Sequence, residues 1–314
     1  PSLTATPDSL NFTTPAGSIS MTQQVSVEGL SLLANITAMT HPPFEISADG
    51  VSFDTTATLT FTQIYTNVPL YVRFNATVQG TFTNEITLSS TGATDTVYLT
   101  GEALDCPATT IPFTEDFENG IPECWLNVDQ DGDGHVWESN ELSAHQGTGM
   151  AASASYDNDF GALRPENWLI TPGIIIPAVG ANITWWVAAQ DPDYASDYYE
   201  VKVSTSGWDI ANFNTIFSET LTTDTWKQRY VDLATYANQT IHVAFVHKNS
   251  YDEYWMKIDD INVTEGVSIE EQSVAGRVAI YPNPTNQVLN VYAENYQKVD
   301  ILNFLGQVVY SNQV

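Results

Sequence analysis

The chain has 314 residues, 43% of them hydrophobic and eight of them tryptophan, which suffices for two or three domains with substantial cores and is too apolar for a disordered acidic tail. Nine Lys and Arg against 38 Asp and Glu give a formal charge of −29, which argues against nucleic acid and anionic membranes as partners and favours cations or basic proteins. No apolar run reaches the length of a membrane-spanning helix, and the chain does not start on a basic-then-apolar stretch, so any signal peptide is expected to have been removed or to lie upstream of Pro1, itself expected to be a fragment boundary.

Residues 1–104 read as short alternating strands: SLNFTT, MTQQVSVEG, FEISADG, TATLTFTQ, VPLYVRFNAT, EITLSST and DTVYLTG. Turn signals separate them at Pro15 to Gly17, His41 to Pro43, Asp49 to Gly50 and Ser90 to Gly92. About seven strands over some hundred residues predict an immunoglobulin-like sandwich. The runs ATPDSLNF, YVRFNATVQGTFTNEITLSS and VYLTGEA resemble bacterial immunoglobulin-like modules, which implies a spacer or presenting role.

Cys106 and Cys124 flank a proline-pinned linker, CPATTIP, at the start of a second domain over residues 105–265. An even pair in an otherwise cysteine-free chain fits a disulfide formed in an oxidising, exported setting, and closing a loop of roughly 20 residues would contribute about 3 kcal/mol. All eight tryptophans lie between EDFENG at 115–120 and KIDDINV at 257–263. The same region, from 111 to 265, carries 25 acidic and 6 basic residues, against 8 and 1 in residues 1–104. The strands ANITWWVAAQ, YYEVKVSTS, WKQRYVDLA and TIHVAFVHKN predict an all-β jelly roll, with FNTIFSETL read as a turn or short helix.

The acids suggest a metal. On a strand, Asp116 and Glu118 would leave one face while Phe117 faces the other way, and Asp259 with Asp260 would form a second pair. If the two ends of the domain lie side by side, these carboxylates repel unless a cation bridges them, and oxygen-rich clusters suit Ca2+. The alternative is a set of solvated strand ends. Asp129, Asp131 and Asp133 follow the start of an EF-hand loop with Gly134 at its turn, but Asn140 stands at the twelfth position and no helix flanks it. A calcium loop of another type and a polar hairpin turn both fit. Candidate ligand contacts are the acidic loop with Asp191, Asp193 and Asp197, and the tyrosines Tyr194, Tyr198, Tyr199, Tyr251 and Tyr254 in or beside polar loops. Most tryptophans are expected in the core.

The ordered runs EDFENGIPECW, DQDGDGHVW, ASASYDN, ENWLITPGI, WWVAAQDPDYASDYYEVKVSTSGWD and VDLATYANQTIHVAFVHKNSYDEYWMKIDDINV resemble the cleaved-adhesin domains of gingipains and their haemagglutinins. The resemblance implies a calcium-binding jelly-roll sandwich that serves adhesion outside the cell without catalysis. Val246 stands where that family often carries a base ahead of the histidine, here His247.

Residues 266–314 begin with the linker VSIEEQSVAGR and continue VAIYPNPTNQVLNVYAENYQKVDILNFLGQVVY. Pro282 and Pro284 stiffen the approach to a strand, and Gly306 permits a hairpin turn. The segment resembles a type IX secretion sorting domain that ends before that family's closing strands, which implies passage through the type IX machinery. The alternative is a β-hairpin appendage with no sorting role.

No HExxH or GxSxG motif is present, the five histidines are scattered, and no catalytic residue is expected. The fold expected is all-β: an immunoglobulin-like sandwich at 1–104, a jelly-roll sandwich at 105–265, and a partial C-terminal sandwich. The function expected is a non-catalytic secreted or cell-surface adhesion protein, calcium-stabilised, that binds an extracellular protein or glycan. The alternative is an accessory region of a larger secreted peptidase or glycan hydrolase.

Overall fold

The computed structural model describes residues 1–60, 65–141, 143–266, 278–281, 290–293, 298–302 and 308–313. Residues 1–267 form one compact unit and 268–314 a second.

The first nine strands are β1 (Ser2–Thr6), β2 (Ser9–Pro15), β3 (Gln23–Leu30), β4 (Ile36–Met39), β5 (Phe44–Ser47), β6 (Thr56–Leu59), β7 (Tyr65–Phe74), β8 (Gly80–Ser90) and β9 (Ala93–Leu104). They build two facing sheets, β1-β3-β7-β5 and β2-β9-β8-β4-β6. Two strands beyond the expected seven, β1 and β4, extend the sheets. Alternation drives the layering, since Val25 and Val27 of β3 and Leu70 and Val72 of β7 are fully buried while their neighbours reach solvent. Phe44 lies 5.0 Å from Phe74 and 6.0 Å from Phe12, ring centre to ring centre, at the heart of this core. Gly101 of β9 is required there, because a Cβ would overlap the Phe74 ring.

The next fifteen strands are β10 (Thr109–Thr110), β11 (Phe113–Glu115), β12 (Leu126–Asp129), β13 (Glu138–Asn140), β14 (Met150–Ala154), β15 (Tyr156–Asp157), β16 (Gly161–Ala162), β17 (Glu166–Ile170), β18 (Ile174–Ile175), β19 (Ala181–Ala189), β20 (Tyr198–Ser204), β21 (Asn214–Thr220), β22 (Lys227–Asp232), β23 (Thr240–Lys248) and β24 (Trp255–Glu265). One sheet runs β10-β18-β23-β17-β12, with β20 on β23 and β21 on β20. The facing sheet runs β13-β14-β24-β19-β22, with β11 on β24. The segment read as a turn or short helix is strand β21, preceded by a single 3-10 turn at Ile210–Asn212. Pairing with β20 from Tyr198↔Thr220 to Val203↔Asn214 overrides its weak helical spacing.

Between the sheets Trp185, fully buried, meets Phe217 and Phe245 edge-on. Its Nε1–H donates to the Tyr199 hydroxyl at 3.1 Å, and that hydroxyl donates to Glu219, which Arg229 holds at 2.8 Å. Adjacent Trp186 points the opposite way, as strand geometry requires. Four tryptophans, Trp125, Trp137, Trp168 and Trp185, are core residues. The outer face of the β23 sheet is apolar too: Leu126, Trp168, Ile170, Ala244 and Val246 form a second cluster, bordered by Val128, Trp208 and Ile210. Val246 thus serves packing. The Cys106–Cys124 disulfide is formed, with Cα atoms 5.5 Å apart.

In the second unit β25 (Val278–Tyr281) pairs with β26 (Asn290–Ala293), and β27 (Lys298–Leu302) with β28 (Val308–Gln313), both antiparallel. Pro282, Pro284 and Gly306 lie outside the described residues.

Candidate functional site

The two ends of the jelly roll do lie side by side, β11 pairing with β24 from Phe113↔Val263 to Glu115↔Ile261. The expected strand through Asp116 and Glu118 is absent, however: β11 stops at Glu115 and Phe117 takes φ 53° with its ring buried. On the partner strand, Asp260 has φ 48°, and the register against β19 slips by one residue between Thr184 and Trp186. That bulge gives β24 an extra residue and turns successive side chains away from simple alternation.

Each of the four carboxylates finds partners within the chain. Glu118 Oε1 accepts from the backbone N–H of Thr148 and of Gly149, each at 2.7 Å. Asp259, with no exposed surface, accepts from the backbone N–H of His145 at 2.8 Å and of Asp260 at 2.7 Å, and more weakly from Gln146. Asp260 Oδ2 lies 2.6 Å from His145 Nδ1, while the His145 ring stacks on Trp186 with centroids 3.7 Å apart. Asp116 accepts from the Glu118 N–H at 3.2 Å. One segment, residues 145–149, therefore supplies most of the donors. Gly147 is needed in it, since it has φ 63° and a Cβ would overlap the Glu118 carboxylate. Burial pushes the Asp259 carboxyl up to about 6, against the pull of its amide donors. Backbone dipoles thus act on these carboxylates in the same sense as the cation expected above.

The second acidic motif behaves differently. Among the described residues, Asp129, Asp131 and Asp133 are the group of three metal-type ligands whose donor atoms all lie within 4.8 Å of one another. Calcium–oxygen distances of about 2.3–2.6 Å allow two ligands to lie about 5 Å apart, so the three oxygens fit that ion. Asp129 braces the loop by accepting from Gly132 at 2.6 Å and Gly134 at 2.8 Å; both glycines have positive φ. Asp133 accepts from the His135 N–H, and Asp131 accepts from the N–H groups of Asp133 and Glu166. Burial, and then the neighbouring Asp133 and Asp129 charges, push the Asp131 carboxyl upward against the Glu166 amide. A cation would relieve that repulsion.

Beside this loop, three others meet. Tyr254 makes edge contacts with Tyr194 at 5.3 Å and Tyr156 at 5.4 Å between ring centres. Arg164 lies 4.0 Å above the half-exposed Tyr251 ring, and Phe160, 74% exposed, touches His135 of the acidic loop. Backbone bonds tie the loops together, from Gln190 to Trp255, Asp252 to Ser155 and Leu163 to Ser155, and Ser196 N–H donates to Glu253. A cavity of about 420 Å³ opens here between Asp131, Arg164, Glu166, Lys248 and Tyr251. Of the expected contacts, Tyr194, Tyr251 and Tyr254 lie on this face with Asp193, and Asp191 braces it by accepting from the Asp193 N–H. Tyr198 is half-buried, its hydroxyl donating to Glu200.

Two expected contacts are elsewhere. Tyr199 is core, and Asp197 is wholly buried, its Oδ1 held by the Ser155 hydroxyl at 2.7 Å and His247 Nε2 at 3.0 Å. His247 Nδ1 lies 2.8 Å from Ser153 Oγ, which also accepts from the Asn167 amide. This Ser–His–Asp arrangement has the residue types of a hydrolase triad but no exposed surface for a substrate. It anchors the bases of the Tyr156 and Tyr194 loops instead. Sequence reasoning missed His145, Gly147, Gly149, Tyr156, Phe160 and Arg164; the glycine pair in HQGTG was the signal for a tight loop.

Residues 110–263 match the Cleaved Adhesin Domain family and residues 279–314 the secretion system C-terminal sorting domain family. Hemagglutinin A of Porphyromonas gingivalis is 34% identical over 210 residues, covering 60% of this chain and 8% of that protein. Gingipain R1 of the same species is 37% identical over 173 residues, covering 49% of this chain and 10% of that protein. The K3 cleaved adhesin domain of Lys-gingipain from P. gingivalis W83 is 38% identical, with 49% of this chain and 98% of that one covered and a TM-score of 0.46. The chain therefore spans about a tenth of the curated relatives it matches. Among the described residues no helix is long and apolar enough to cross a membrane. The sorting match makes this an exported protein, released or held at the outer surface. Residues 110–263 are a cleaved-adhesin domain of the gingipain and haemagglutinin kind, followed at 279–314 by a secretion-system sorting domain.

Proposed function

We propose that the chain is a non-catalytic adhesion module whose contact face is the aromatic loop end of the jelly roll, stiffened by calcium in the Asp129–Asp133 loop. The observation that carries the reading is the convergence of Tyr156, Tyr194 and Tyr254, with Arg164 on Tyr251, beside that acidic loop. Rigid, amphipathic aromatics give contact area at low entropic cost, and Arg is the cation best suited to stacked, bidentate recognition. The ligand is an extracellular protein or glycoprotein. Calcium would be held by Asp129, Asp131 and Asp133 with carbonyls and water completing its shell, and would supply charge neutralisation and loop rigidity. At Asp116, Glu118, Asp259 and Asp260 a cation would share the carboxylates with donors already in place, backbone amides for the first three and the His145 ring for Asp260, and would need backbone carbonyls to complete its shell. The 1–104 sandwich, immunoglobulin-like in our reading, serves as a spacer, and the C-terminal segment is read by type IX machinery.

Solid-phase binding of the purified chain to immobilised matrix proteins and mucin-type glycoproteins tests the reading. Wild type is expected to bind at least one surface, and the Tyr194→Ala, Tyr254→Ala double variant to bind about tenfold more weakly. Absence of binding across the panel, or binding indifferent to both tyrosines, would remove it. A second reading, that this stretch is the accessory region of a secreted peptidase, is favoured by the matches to gingipains, of which it spans about a tenth. Sequencing the full secreted product by mass spectrometry separates the two.

A further inference from the structure

We infer that the cavity between the two sandwiches of the first unit is a second binding site, for a neutral saccharide of about two rings. Its volume is about 400 Å³, within the range of pockets that hold small ligands, and like many such pockets it lies at a domain junction. One wall comes from the first sandwich, where the turn joining β2 to β3 contributes Ile19 and Met21, 42% and 39% exposed. The other comes from the jelly roll, where Trp208 and Ile210 border the apolar outer face of the β23 sheet.

Trp208 sets the chemistry. His242 supports its indole with centroids 4.3 Å apart, while the indole remains part of the cavity wall. Among the described residues the Trp208 Nε1–H meets no acceptor and the Gln130 side chain meets no partner, so both are free to engage a ligand. The charged groups at the rim are already satisfied within the chain. Asp129 and Asp209 accept from backbone N–H groups, and Arg73 is held by Glu45 at 2.6 Å. A charged ligand would find no unpaired countercharge there. A pyranose offers what the walls can use, an apolar C–H face for an indole and hydroxyls for amide, carboxylate and N–H groups.

This site is separate from the tyrosine face and does not depend on it. The test uses the full chain with cellobiose, lactose, maltose and N,N′-diacetylchitobiose, followed by saturation-transfer NMR and tryptophan fluorescence. At least one disaccharide is expected to bind, and Trp208→Ala is expected to weaken it about tenfold. Met21→Trp, which fills the cavity from the opposite wall at an exposed position, is expected to do the same and is read alone if Trp208→Ala does not fold. Binding of none of the four, binding that survives Met21→Trp, or binding lost on Tyr194→Ala and Tyr254→Ala but not on these variants would overturn the inference.

Discussion

The jelly roll contains two acidic regions that look alike in sequence and differ in how closely the fold gathers their carboxylates. In the Asp129–Asp133 loop, glycines at positive φ fold three carboxylates toward one point, and burial, with the neighbouring charges behind it, raises the proton affinity of Asp131. At the junction of β11 and β24, where left-handed residues and a bulge interrupt the strands, Asp116, Glu118 and Asp259 meet backbone amide donors and Asp260 meets the His145 ring. Spacing of acids along a chain does not show which carboxylates a fold gathers to one point. The backbone turns between them decide it, since backbone N–H groups reach carboxylates in both regions.

The largest expected effect lies at the junction. Asp259→Ala strands three amide donors under a closed surface and should cost about 3 kcal/mol in urea unfolding measured in chelator. A loss below about 1 kcal/mol would mean that water reaches those amides and that the contrast is overstated. Calcium should act at the other region. At a concentration a hundred times its dissociation constant, it should add about 2.7 kcal/mol over chelator in thermal melts. Asp131→Asn with Asp133→Asn should abolish that difference and Glu118→Gln should leave most of it. The opposite pattern would move the ion to the junction.

Gly147→Ala should cost about 1–2 kcal/mol, through the positive φ and the overlap with Glu118, without altering any calcium response. The smallest effect is in pH. Burial depresses the His242 imidazole below its ordinary 6.5, so its contribution is present above that value and is lost as pH falls toward the folded pKa. Asp259 works in the other sense: its stabilising contribution is present below the unfolded carboxyl value and is lost as pH rises through about 6. In chelator, His242→Phe should remove a slope of at most about 1.4 kcal/mol per pH unit on the acid side of 6.5. An unchanged slope would assign the acid sensitivity to the carboxylates.

Much of the fold was legible because several strands alternate: β3, most of β9 and the first six residues of β19 show period-two burial. Four-residue β4 was too short for a period, and β21 was misread because its apolar residues, Ile216 and Phe217, are adjacent. Tyrosines beside polar loops could be anticipated, as exposed Tyr194 and Tyr251 and half-buried Tyr254 illustrate. The burial of Asp197 could not, since it depends on Ser155 and His247, 42 and 50 residues away in the chain. Nor could the geometry at Phe117 and Asp260, because a left-handed backbone at a non-glycine residue is imposed by tertiary pairing.

The Cys106–Cys124 bridge has a mechanical consequence under the adhesive role proposed above. When the chain is pulled from its two ends, tension travelling past β9 reaches Cys106 and crosses the sulfur bond to Cys124, the shortest covalent path. Residues 107–123, including β11, Asp116 and Glu118, are then bypassed. Without the bridge the load would enter at Phe113, opposite Val263 near the exit of β24, and part the two strands one hydrogen bond at a time. With it, the junction of the jelly roll's ends stays slack while the rest of the molecule is under strain.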